Sequence, residues 1–137
     1  MDLNRFVEAQ KHSYEIALGE MRTGRKRSHW MWYIFPQIKG LGFSSTAQYY
    51  AIQNKREAKD YLEHPVLGKR LLEISEVMLK ISSNDAGEVF GYPDDMKLRS
   101  SMTLFYLVSG NIIFKKVLDK FFDGKLDEKT KKILYSP

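Results

Sequence analysis

The sequence predicts an all-α fold, a compact domain of about seven to eight orthogonally packed helices. Three observations predict it. Apolar residues recur at steps of three and four over most of the chain. No stretch alternates apolar and polar residues for long, and no Asn-Gly-type hairpin signal occurs. The four prolines and nine glycines fall between the periodic stretches, where they punctuate rather than interrupt.

The elements follow in order. Leu3, Phe6, Val7, Gln10, Tyr14, Ala17, Leu18 and Met21 form one helical stripe, with Asp2 as N-cap and Gly24 beyond its end. Residues 29–35 are apolar nearly all round and stop at Pro36; periodicity does not choose between a short buried helix and a strand, and the helix is the reading preferred. Gly40 and Gly42 make the following loop, and Ser44 or Ser45 caps a short helix through "SSTAQYYAI". Asn54 and Glu57 have the spacing of a capping box, and that helix runs to about Glu63. Pro65 opens the next helix, striped by Leu67, Leu71, Ile74, Met78 and Ile81.

The stretch "SSNDAGEVFG" holds a cap and a turn or two. Pro93 starts a helix with Asp94 and Asp95 in its first turn, where the helix dipole favours them. Met102 to Val108 is apolar on all sides, so this helix is expected at the centre. Asn111 caps a helix that turns Phe114, Val117, Leu118, Phe121 and Phe122 inward and ends at Gly124, and Asp127 caps the last.

Residues 1–137 are read as a single domain, without linker, repeat or low-complexity tract. The absence of cysteine excludes disulfides and thiolate metal sites and points to a reducing cytoplasm. His12, His29 and His64 lie far apart, so no metal and no cofactor is expected. No apolar run reaches the ~18 residues of a membrane span, and the first residues do not read as a signal peptide. The net charge of +5 and pI near 9.3 permit an anionic partner without requiring one.

Four stretches could carry chemistry. Arg22, Arg25, Lys26 and Arg27 could bind phosphate, or solvate a helix end. Trp30, Trp32, Tyr33 and Phe35 could stack bases, or fill a core. "SHWMWYIFPQIKGLG" brings His29, Gln37 and Lys39 beside a glycine-rich turn that could admit an anion. "PDDMKLRSSMTLF" puts acids, bases and hydroxyls on the first half of a helix that is otherwise apolar. At helical spacing Asp95 and Arg99 form an i,i+4 pair, while Asp94, Lys97 and Ser101 share another face. Such charges must be paired or line a cavity. No Walker loop, dinucleotide fingerprint, EF-hand or nucleophile elbow is present.

These three long motifs, "SHWMWYIFPQIKGLG", "YLEHPVLGKRL" and "PDDMKLRSSMTLF", resemble the bacterial DUF1810 family over nearly the whole chain. The resemblance implies an all-α fold and small cytoplasmic proteins of unknown function. It implies no established reaction. Members have carried a calpastatin label, but a calpain inhibitor of that kind is a disordered polypeptide, and this chain has strong helical stripes.

The expectation is that His29, Gln37, Lys39, Lys97, Arg99 and Ser101 converge on one pocket walled by Trp32. It would take a phosphate-bearing small molecule, a nucleotide or an ADP-ribose-like group. If the protein is an enzyme, His29, Asp94 or Asp95 supplies acid–base function for hydrolysis or glycosidic cleavage. Two other readings stand beside it. One is a protein-interaction module whose partner is another protein or a second copy of the chain, as a homo-oligomer. The other is weak nucleic-acid binding through residues 22–27, with nucleic acid not the expected partner.

Overall fold

The computed structural model describes residues 2–136, and ten helices lie within them. They are α1 (Asn4–Gln10), α2 (Tyr14–Thr23), α3 (Met31–Ile34), α4 (Ser45–Tyr49), α5 (Lys55–Glu63), α6 (Leu67–Lys80), α7 (Ala86–Phe90), α8 (Asp94–Ser109), α9 (Ile112–Phe122) and α10 (Glu128–Tyr135). The fold is all-α, and the described residues form no strand beyond an isolated parallel bridge between Ile38 and Ile52.

The first stripe is two helices rather than one. Gln10 is buried at the break, where its amide donates to the Tyr33 carbonyl at 2.8 Å and to the Tyr61 hydroxyl at 3.0 Å. The Ser13 N–H bonds back to the Gln10 carbonyl, which closes α1 before α2 begins. A polar residue in an apolar stripe marks the break, because its amide is satisfied only by groups outside the helix.

Most caps sit where the sequence puts them. Ser44 caps α4, Asn54 caps α5, Asn111 caps α9 and Asp127 caps α10, whereas at α1 the cap position is Leu3, and Asp2, one residue earlier, accepts the Asn4 N–H. The α6 start is different. His64 Nδ1 accepts the N–H groups of Val66 and Leu67 at 3.1 and 3.2 Å, so the histidine caps the helix that Pro65 precedes. The capping box at Asn54 is also modified. Glu57 returns its bond to the Gln53 N–H at 2.9 Å, one residue earlier than the usual partner.

The α8 helix is central, packed against α5, α7, α9 and α10, while α6 packs against α2, α5 and α9. Leu98 and Met102 to Phe105 are buried, as expected of the middle of this helix. A chain of aromatic contacts crosses the core from α1 to α9. Phe6 meets Tyr61 edge-on at 5.1 Å, Tyr61 lies 5.3 Å from Phe105, and Phe105 lies 6.0 Å from Phe114.

Arg5 ties α1 to the segment between α4 and α5. Its guanidinium donates to Glu57 at 2.9 and 3.2 Å and to the carbonyls of Asp2, Tyr49 and Ala51. Every N–H of the fork is therefore used, and the Glu57 charge is compensated where it is fully buried. This fixes residues 49–51, of which Tyr50 and Ala51 line the cleft described next.

Candidate functional site

The cleft lies between α3, the loop after it, α4 and the first turn of α8. The α3 helix is a single turn, because Pro36 cannot continue it and Met31 and Ile34 must both face the core. Trp32, between them in sequence, is left half-buried at the surface. The bridge pins the strand-like segment that follows: Lys39 N–H donates to the Ile52 carbonyl, and Ile52 N–H to the Gln37 carbonyl, both at 2.8 Å. Gly42 lets the loop lie against α4, since a Cβ there would stand 2.6 Å from the Ala47 Cβ.

Two lysines, each lying over a tryptophan ring, flank Asp94. Lys26 reaches it at 2.9 Å and Lys97 at 3.6 Å. The Lys26 ammonium also lies 5.1 Å over the Trp30 ring, and Lys97 lies 5.4 Å over Trp32. The two halves differ in exposure. Lys26 and Trp30 are buried, whereas Lys97 and Trp32 stand at the mouth of the cleft. The cleft encloses about 300 Å³ counting its open mouth, but a water-sized sphere reaches only about 10 Å³ of it. That closed part holds about one water.

Three polar side chains line the cleft with little or no protein partner. The Gln37 amide and the Tyr50 hydroxyl make no hydrogen bond among the described residues. Among the described residues Lys97 has no charged partner but its long contact with Asp94. Burial, and then the neighbouring Tyr49 and Tyr33, hold the Tyr50 phenol above its ordinary pKa, so it is a neutral donor.

Glu20 supports the site from beneath. Its carboxylate accepts the N–H of Arg27 and of Ser28, the Ser28 hydroxyl and the Trp30 indole N–H at 2.5–3.0 Å. Burial alone would raise its pKa, but these four bonds outweigh burial and bring it down to about 2. Glu20 thus fixes the turn that aims Lys26 at Asp94.

The structure brings together some of the residues singled out in the sequence and separates others. Trp32, Gln37 and Lys97 share the cleft. Lys39 lies in an adjoining groove, which shares Gly42 and Ala51 with the cleft. His29 is exposed, and its imidazole has no hydrogen bond among the described residues. Asp94 is held between two ammonium groups, and Asp95 closes on the Met96 N–H.

Arg99 and Ser101 belong elsewhere, which corrects the six-residue pocket. Arg99 donates to the carbonyls of Lys125 and Leu126 at 3.0 and 2.7 Å, so it clamps the α9–α10 turn and makes no pair with Asp95. Ser100 and Thr103 bind Asp127 in the same turn. Ser101 is buried, and its hydroxyl has no partner among the described residues. At 100° per residue α8 therefore turns one polar edge to the cleft and the other to the α10 junction.

The basic cluster is also divided, because Lys26 is an internal partner of Asp94 and only Arg22, Arg25 and Arg27 are exposed. Trp30 is 1% exposed and is no stacking platform. Sequence reasoning missed Glu20, Tyr50, and the pairing of Lys26 with Asp94. The last bridges residues far apart in the chain and leaves no local pattern.

The model for the family described as "Protein of unknown function (DUF1810)" matches residues 1–134. The chain belongs to the DUF1810 family. A solved member-like structure is the conserved hypothetical protein Rv1873 from Mycobacterium tuberculosis, 44% identical, with a TM-score of 0.97 over 99% of this chain and 98% of that one. No curated protein matches the chain. Among the described residues of this DUF1810 protein, no helix is long and apolar enough to cross a membrane. None of its described His, Cys, Asp and Glu residues gather in groups of three or more that could hold a metal ion.

Proposed function

We propose that this protein binds a small phosphate-bearing ligand, of the nucleotide or ADP-ribose-like class, at the mouth of the Trp32–Lys97 cleft. One observation carries the reading. Among the described residues the Gln37 amide, the Tyr50 hydroxyl and the Lys97 ammonium line one cleft without close hydrogen-bond partners, beside the half-buried Trp32 indole. Donors left free at an aromatic wall suit a phosphate on the cation and a flat ring on the indole. The enclosed space admits a phosphate oxygen in place of one water, and the rest of the ligand lies outside, against Trp32. The reading places the protein in a reducing cytoplasm, in keeping with its lack of cysteine.

Binding is favoured over hydrolysis or glycosidic cleavage. Among the described residues no carboxylate lines the cleft, and Asp94 is engaged by both lysines. His29 would have to swing in from solvent to act as base.

A thermal-shift screen with nucleotides, ADP-ribose, sugar phosphates and inorganic phosphate tests the reading, since a ligand at 100 times its Kd stabilises by about 2.7 kcal/mol. A rise in melting temperature with one phosphate class, abolished in Lys97→Ala, supports it. No rise with any of them at millimolar concentration rejects it.

A further inference from the structure

The surface next to the cleft carries a second feature. Two open grooves meet at Gln53. One, about 320 Å³, is lined by Lys39, Gly40, Phe43, Gln48 and Gln53. The other, about 440 Å³, runs between the start of α5 and α10, past Gln53, Asn54, Lys55, Arg56 and Ile133. Among the described residues three cations line this double groove, and no Asp or Glu side chain does. The remaining polar walls are the amides of Gln48, Gln53 and Asn54 and the hydroxyl of Ser136.

Large aromatic side chains stand in or beside both grooves. Phe43, 79% exposed, lines the first, and Tyr135, 60% exposed, lies beside the second without lining it. The Lys55 ammonium, which lines the second groove, lies 4.9 Å over the Tyr135 ring, so the ring is the immediate neighbour of a groove cation. A phenylalanine left this exposed costs solubility and buries nothing in the fold. Among the described residues Arg56 pairs with Asp60 alone, in an exposed i,i+4 pair that holds it weakly.

We propose that this double groove is a track for single-stranded nucleic acid, with Phe43 and Tyr135 as stacking faces and Lys39, Lys55 and Arg56 on the backbone phosphates. Aromatic faces beside a one-sign groove are the general physical requirement for such a track. An acidic peptide would satisfy the cations and leave the exposed rings unused. The track differs from the basic residues 22–27 and does not depend on the small-ligand reading, because neither Trp32 nor Lys97 lines it.

Fluorescence anisotropy with short labelled oligothymidylate and oligouridylate at rising salt tests the proposal on the full chain. With three phosphate contacts the logarithm of affinity falls against the logarithm of salt with a slope of about −2. Phe43→Ala should weaken binding by about tenfold, the loss of one stacked base. Lys39→Ala/Lys55→Ala should bring the slope to about −0.7. All three side chains are exposed, so the variants should melt like the parent protein. Lys97→Ala should bind the oligonucleotide normally. No binding at low salt overturns the proposal. So does binding that Phe43→Ala leaves unchanged and that polyglutamate matches, which is attraction to any polyanion.

Discussion

Arg5→Ala removes the guanidinium that joins α1 to residues 49–57. In the native protein the Arg5 side chain is 10% exposed and that of Glu57 1%, so the variant leaves a carboxylate buried without its countercharge. Breaking a buried pair in this way costs about 3–5 kcal/mol. The carbonyls of Tyr49 and Ala51 lose their donors as well, which places the effect toward the upper end. For a chain of this length the melting temperature should fall by roughly 10–20 °C. Arg5→Lys restores one charge but not the fork, and should recover only part of the loss. Arg5→Met/Glu57→Leu removes both charges and should recover most of it, as apolar replacements of buried pairs do. Urea unfolding of the four proteins measures each term. A loss below about 1 kcal/mol in Arg5→Ala, or a double variant no better than the single, would refute the claim that this pair is a buried, mutually dependent unit.

Three further outcomes follow from other parts of the fold. Glu20 has a folded pKa of about 2, below its unfolded value, so its contribution is full above about pH 4.5 and is lost as pH falls toward 2. Allowing for screening at a half-exposed site, Glu20→Gln should cost about 1 kcal/mol at pH 7 and nothing below pH 2, measured by urea unfolding against pH. Gly68→Ala should destabilise by about 3 kcal/mol or more, because a Cβ there would stand 1.9 Å from the Leu62 carbonyl oxygen where α5 and α6 cross, and thermal melting reads it directly. Arg99→Ala should cost about 1.5–3 kcal/mol through its two lost bonds to the α9–α10 turn, whereas Ser101→Ala should be neutral or stabilising since its hydroxyl has no partner; neither should alter ligand binding.

The fold was legible where the information is local. Stripes such as Leu67, Leu71, Ile74 and Met78, and caps such as Asn54 and Asp127, depend on residues a few positions apart, and the structure places them as read. The break at Gln10 was not legible, because it depends on Tyr33 and Tyr61, far away in the chain. The candidate site divides along the same line. Motifs with exposed polar residues pointed to Trp32, Gln37 and Lys97, which do meet. The sequence could not say which edge of α8 faces the cleft, since that is set by the docking of α10, so Arg99 and Ser101 were grouped with Lys97. Lys26 looked like one more solvated cation, and only its contact with Asp94 shows it to be internal.

The most direct test of the cleft is a side-chain NMR titration of the protein with ADP-ribose and with inorganic phosphate. The resonances to follow are the Trp32 indole N–H and the Gln37 amide, with the Trp30 indole as internal reference because Glu20 holds it at 2.8 Å. The account predicts that Trp32 and Gln37 move together and saturate, that Trp30 stays still, and that Lys97→Ala abolishes the response. Shifts confined to Arg22, Arg25 and Arg27, or no shift at Trp32 and Gln37, would contradict it.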